Sequence, residues 1–192
     1  MTALTLNLDS IAHLTHDQFR ELCRENRDIR LELTAKGELI VMPPTGWESG
    51  NRNIKLAARL QNWTETDGTG IAFDSSTGFI LPSGAIRSPD AAWVASERLT
   101  ALNPDPEGFL PLAPDFVIEL RSASDRLKPL QDKMQEYIDN GVRLGWLLNP
   151  KDRAVEIYRM GKGIEVLRSS TEISGEDVLP GFVLSLEGIF GS

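Results

Sequence analysis

Two short segments each carry one acid among apolar neighbours: Ser88-Pro89-Asp90-Ala91-Ala92-Trp93 and Pro114-Asp115-Phe116-Val117-Ile118-Glu119-Leu120-Arg121. Both read as strands. An ionised carboxylate surrounded by apolar side chains is costly unless a cation or several donors compensate it, so Asp90 and Glu119 together suggest a metal site. Side chains alternate faces at period two, which puts Glu119 and Arg121 opposite Phe116, Ile118 and Leu120, and Asp90 opposite Pro89 and Ala91. If the two strands are neighbours, the acids converge. A few carboxylates, a backbone carbonyl and retained waters suit a hard divalent cation such as magnesium. Zinc lacks its usual ligands: His13 and His16 lie near the N-terminus and Cys23 is the single cysteine, a packing residue in this reading. The helix after Glu119 adds an amine. With Leu127, Leu130, Met134 and Tyr137 on its apolar face, Lys133 falls on the flank beside Tyr137 and can reach the sheet edge.

These residues need a scaffold of alternating strands and helices. Thr15 to Arg24 reads as a short helix starting at Thr15 or Asp17. Arg30–Leu33 and Glu38–Met42 flank Lys36-Gly37 as a hairpin that Pro43-Pro44 ends. A helix spans Glu48 to Thr66, with Leu56, Leu60 and Trp63 as its buried stripe and Arg52, Lys55 and Arg59 as a basic stripe beside it. Strands follow at Gly70–Phe73, Gly78–Leu81 and Pro89–Val94, then a Pro/Gly/Asn-rich loop from Asn103 to Pro114 and a strand at Phe116–Leu120. A helix from Ser124 to Asn140 stops at Gly141, and Leu144–Leu148, Val155–Arg159 and Ile164–Leu167 read as further strands.

Length and charge bound the possibilities. At 192 residues and 41% hydrophobic, the chain suits one globular α/β domain, residues 1–192, with a mixed central sheet flanked by helices and a β-rich C-terminal segment extending that sheet. The first cation among the early residues is Arg20, and no continuous apolar block precedes it. The expectation is a cytoplasmic protein without signal peptide or membrane helix. The net charge of −8 opposes avid binding to a polyanion, though not a local basic cleft.

The order Pro-Asp, then Glu-x-Arg, then helix resembles the PD-(D/E)XK nuclease superfamily, and more narrowly the Uma family of restriction-endonuclease-like bacterial domains. The resemblance spans nearly the whole chain: Leu31-Glu32-Leu33, Gly37-Glu38-Leu39, Met42-Pro43-Pro44-Thr45-Gly46, Ser76-Thr77-Gly78-Phe79, Arg87 to Trp93, Pro114 to Ser122, Ser124-Asp125, Lys133 with Tyr137, Gly141-Val142, Trp146 and Leu179-Pro180-Gly181-Phe182. It implies a restriction-endonuclease-like fold and phosphodiester hydrolysis with Mg²⁺ or Mn²⁺. Asp90 and Glu119 would be metal ligands, joined by the carbonyl of Leu120, and the metal would activate water and stabilise charge at phosphorus. Where the superfamily has a lysine two residues after the second acid, this chain has Arg121, which stays protonated and can brace a phosphate but cannot act as a base. Lys133 would supply the missing amine. Many relatives carry a His near the start of the helix after the Pro-rich turn, where this chain has Glu48, Ser49, Gly50 and Asn51; Glu48 is the candidate auxiliary acid.

Plainer readings stand beside these. Asp90 could be a strand-entry residue paired with Arg87; Glu119 could pair with Arg121 or Arg87; Lys133 could be solvated or paired with Glu136. Glu32 reads as a structural or solvated strand acid, and the basic stripe as a solvated face or a phosphate-tracking groove. Trp63, Trp93 and Trp146 read as core, with Trp47 alone at a site mouth. Two functions follow: a magnesium-dependent DNA endonuclease acting as a homodimer, since two symmetric sites cut both strands of a duplex, or a catalytically silent nuclease-fold module binding nucleic acid or protein. RNA or structured DNA as the substrate is equally open.

Overall fold

The computed structural model describes residues 3–8 and 13–190. In chain order the elements are β1 (Leu4–Leu6), α1 (His16–Glu25), β2 (Arg30–Leu33), β3 (Leu39–Met42), α2 (Trp47–Asp67), β4 (Gly70–Asp74), β5 (Phe79–Ile80), β6 (Ile86–Arg87), β7 (Ala91–Ala95), α3 (Ser96–Leu102), β8 (Phe116–Leu120), α4 (Leu127–Asp139), β9 (Leu144–Asn149), β10 (Ala154–Arg159), β11 (Glu165–Arg168), β12 (Glu172–Ser174) and β13 (Val183–Ser185). Local chemistry accounts for the helix ends. Thr15 caps α1 by accepting from Gln18 N–H, and its own N–H donates in return to the Gln18 side chain; Gly141, at φ +100, follows α4 in the left-handed region that glycine tolerates.

A six-stranded sheet in the order β11-β10-β9-β8-β7-β4 forms the centre. It is mixed: β8 and β9 run parallel, joined by α4 as a crossover, and the other pairs are antiparallel. A second sheet, β1-β3-β2-β6-β5, contains the expected hairpin of β2 and β3.

Strand β8 is apolar almost throughout because both faces are covered. Phe116, Ile118 and Leu120 join Leu56 and Leu60 of α2, while Val117 packs with Met134 and Tyr137 of α4. Glu119 therefore points to the α4 side by alternation. The expected α2 stripe is found: Leu56 and Leu60 are fully buried and Trp63 packs against the same core. No helix among the described residues is long and apolar enough to cross a membrane.

The expected β-rich C-terminal extension is found, since β9, β10 and β11 continue the central sheet beyond β8; β12 and β13, which the sequence reading did not include, pair with each other and place Ile173, Phe182 and Leu184 over the α2-side core. Helix α3 is absent from the sequence reading, since seven residues are too few for a periodic signal. Helix α4 begins at Leu127 rather than Ser124. The preceding residues form a turn in which Ser122 N–H donates to Asp125 Oδ2 at 2.8 Å, and Pro129 then sits in the first helical turn, where no intrahelical N–H bond is required.

Candidate active site

Asp90 stands one residue before β7. The β7–β8 ladder pairs Ala91 with Ile118 and Ala92 with Val117, so one further step sets Asp90 across from Glu119. Asp90 is bound through both oxygens: Leu120 N–H donates to Oδ2 at 2.7 Å and Asn53 Nδ2, from α2, donates to Oδ1 at 3.0 Å. Burial still raises its pKa, against the opposing pull of these donors, Lys133 and Arg30.

Glu119 is buried. Lys133 Nζ lies 2.7 Å from its Oε1, and the Tyr137 hydroxyl donates to the same oxygen at 2.9 Å. Spacing on α4 explains the pair, since residues four apart share a helix face. Burial pushes the Glu119 carboxyl up to about 7; Lys133 opposes this, while Asp90 and Glu32 add to it. Tyr137 is held well above its ordinary pKa by burial and by Glu119, so it remains a donor.

Lys133 also reaches Glu32 Oε1 at 2.8 Å. Glu32 is only 2% exposed and accepts further bonds from Ser88 N–H at 2.9 Å and Arg87 Nη1 at 3.0 Å. Burial works against its charge, but Lys133 and Arg87 prevail and its pKa is lowered. Arg87 completes the chain with a 2.6 Å bond from Nε to Glu136 Oε2. Burial lowers the Lys133 ammonium, yet Glu119 and Glu32 outweigh it and its pKa is raised. Lys133 is thus a held cation at neutral pH.

The structure brings Asp90, Glu119 and Lys133 together and leaves other named residues elsewhere. The backbone of Leu120 reaches the group, with its N–H on Asp90. Arg121 directs its guanidinium to the Asp125 carbonyl at 3.2 Å, Asn149 Oδ1 at 3.3 Å and Asp152 Oδ2 at 3.1 Å, because β8 ends at Leu120 and the acidic turn after β9 attracts it. Glu48 is exposed on α2 and pairs with Arg52 at 2.7 Å. The rest of the basic stripe is committed to carbonyls of the C-terminal segment: Lys55 to Gly188 and Arg59 to Ser185 and Glu187. Arg87 pairs with Glu32 and Glu136, rather than with Asp90 or Glu119. Trp47 is 86% exposed. Sequence reasoning did not assign Glu32, Tyr137 or Asn53 to this group. The one available signal was the four-residue step from Lys133 to Tyr137.

The donor set fits a hard cation. Among the described residues, no three His, Cys, Asp or Glu side chains are gathered as a ready-made cage; hard divalent cations take carboxylate and neutral oxygens together with waters. One neutral oxygen nearby, Asn53 Oδ1, is buried with no hydrogen-bond partner. Charge balance agrees. Glu32, Glu119 and Glu136 pair with two buried cations, Arg87 and Lys133, and Asp90 adds a further carboxylate, so a divalent ion would offset excess negative charge.

One pH dependence follows from Glu119. Its folded pKa, about 7, lies above the ordinary value, so the folded state holds the extra proton; the resulting stability is full below the unfolded pKa and lost as pH rises through about 7. Measured by urea denaturation without metal, Glu119→Gln should gain on the wild type by up to a few kcal/mol between roughly pH 5 and pH 8. A constant difference across that range would refute the assigned burial.

Comparison with known proteins bears on the family and the fold. The family described as "Uma2: Putative restriction endonuclease" matches residues 16–187. Among solved structures, the chain is similar to a putative nuclease belonging to DUF820 from Anabaena variabilis ATCC 29413, with TM-score 0.77 and 18% identity over 92% of this chain and 97% of that one. At that identity the likeness establishes a shared fold. No curated protein matches the chain.

Proposed function

Because the chain belongs to the Uma2 family of putative restriction endonucleases, we propose that it is a Mg²⁺-dependent DNA endonuclease that also accepts Mn²⁺, and that Asp90, Glu119 and Lys133 form its catalytic centre. The observation that carries this reading is the meeting of two burial-strained carboxylates, Glu119 on β8 and Asp90 at the entry to the neighbouring β7, with an ammonium 2.7 Å from the first.

Asp90 and Glu119 would hold the cation, together with the carbonyl of Leu120. When bound, the ion would lower the pKa of a water and offset charge developing at phosphorus. Lys133 and Tyr137 both occupy Oε1 of Glu119, which leaves Oε2 for the ion and fixes the carboxylate plane. The Lys133 ammonium serves as a charge donor toward a phosphate oxygen rather than as a base, since two carboxylates keep it protonated. Hydrolysis would add the oxygen of water to phosphorus as the bond to the leaving oxygen breaks, with the proton lost by the water passing to solvent and the leaving oxygen taking one from solvent to become a hydroxyl. Two copies of the chain would cut the two strands of a duplex, in the cytoplasm, with DNA affinity weakened by the acidic surface.

The position of Arg121, turned to Asn149 and Asp152, favours a second reading, a silent nuclease-fold module that binds nucleic acid or protein. Incubation with supercoiled plasmid separates the two. The enzyme nicks in Mg²⁺ or Mn²⁺, stops with EDTA, and in Ca²⁺ binds with little cleavage. A protein that retards DNA but leaves it intact under all these conditions is the silent module.

A further inference from the structure

Asn53 is held by an unusual balance of bonds. It projects from α2 toward the strand end, and its Nδ2 donates to Asp90 Oδ1 at 3.0 Å. Asp90 accepts on both oxygens, so the amide turns its NH₂ group that way, and Oδ1 lies on the other branch of the amide. That oxygen is buried and has no hydrogen-bond partner. An unpaired buried acceptor is a net cost to folding, and a neutral amide oxygen is a hard ligand of the kind Mg²⁺, Mn²⁺ and Ca²⁺ take beside carboxylates.

We propose that Asn53 belongs to the cation site, presenting Oδ1 to the divalent ion or to a water that the ion holds, while its Nδ2 sets the orientation of Asp90. The assignment rests on the reading of Asp90 and Glu119 as cation ligands. It adds a donor from α2 to ligands that otherwise come from the β7–β8 edge, so metal binding ties that helix to the central sheet.

The test is Mn²⁺ binding to the metal-free protein, without DNA, by isothermal titration calorimetry at pH 8. Four proteins are compared: wild type, Asn53→Ala, Asn53→Asp and Asp90→Asn, each checked for folding by circular dichroism. Asn53→Ala should bind Mn²⁺ about 10-fold more weakly. Asn53→Asp keeps an oxygen at this place and adds charge, so it should bind at least as tightly as wild type even though its metal-free form, with a second carboxylate facing Asp90, melts at lower temperature. If Asn53→Asp loses affinity as Asn53→Ala does, the residue acts through Nδ2 alone and the assignment of Oδ1 is overturned. If both Asn53 variants bind like wild type while Asp90→Asn does not, the inference fails and the cation site stands. If Asp90→Asn also binds like wild type, the site itself is lost, and the inference with it.

Discussion

Glu119→Gln and Asp90→Asn should nick supercoiled plasmid more slowly than wild type by a factor on the order of 10² to 10³ or more, and the two variants should part company in stability. At pH 8 the wild type carries at position 119 a carboxylate that burial disfavours. The amide introduced by Glu119→Gln keeps the shape and an oxygen for Lys133 and Tyr137, so this variant should fold at least as stably as wild type while losing cleavage. Asp90 instead accepts from donors on both oxygens, Leu120 N–H and Asn53 Nδ2. Its replacement by Asn sets an NH₂ group against one of them, and some loss of stability accompanies the loss of cleavage. Nicking rates in Mg²⁺ and urea melts on the same preparations check both halves. Equal nicking by all three proteins would point to a contaminating nuclease and leave the catalytic assignment unsupported.

Glu32→Ala should unfold more easily by about 3–5 kcal/mol, the usual cost of removing one partner from a buried charge network. The carboxylate is almost fully buried and holds Arg87, Lys133 and Ser88 N–H at once, so truncation takes one of its two acid partners from each of two cations in a low-dielectric interior. Glu48→Ala provides the contrast. Its pair with Arg52 is solvent-facing, with Glu48 60% exposed, and its loss should cost less than about 1 kcal/mol. Urea midpoints of the two variants give the comparison; a Glu32→Ala midpoint as close to wild type as that of Glu48→Ala would show that Arg87 and Lys133 find other partners. A defect in cleavage should accompany the Glu32 change, because Lys133 loses one of the two acids that aim it.

Much of the scaffold is legible in the chain. Strand β8 reads with its observed bounds because five buried residues bracketed by Pro114 and the Ser122 turn leave little ambiguity. Helix α1 is legible from a capping signal at Thr15, which the Gln18 bond realises. Asp90 and Glu119 stand out by the mismatch between a charged group and its apolar neighbours, and Lys133 by its helical phase beside Tyr137. These are local signals, carried within a few residues along the chain.

Partnership is a different kind of fact. Glu32 meets Arg87 across 55 positions and Lys133 across 101, and nothing in Arg30-Leu31-Glu32-Leu33 distinguishes such an acid from one facing water. The basic stripe of α2 is legible as a stripe, but only the path of the C-terminal segment shows that Lys55 and Arg59 are bound to its carbonyls. Arg121 follows the same rule: alternation assigns it to the Glu119 side, and the turn after β9 draws it to Asp152. Period and composition determine which face a side chain takes and whether its charge is out of place, because those depend on backbone geometry and neighbours in sequence. Which opposite charge meets it is decided only when distant elements pack, since Coulomb attraction depends on separation in space and not along the chain.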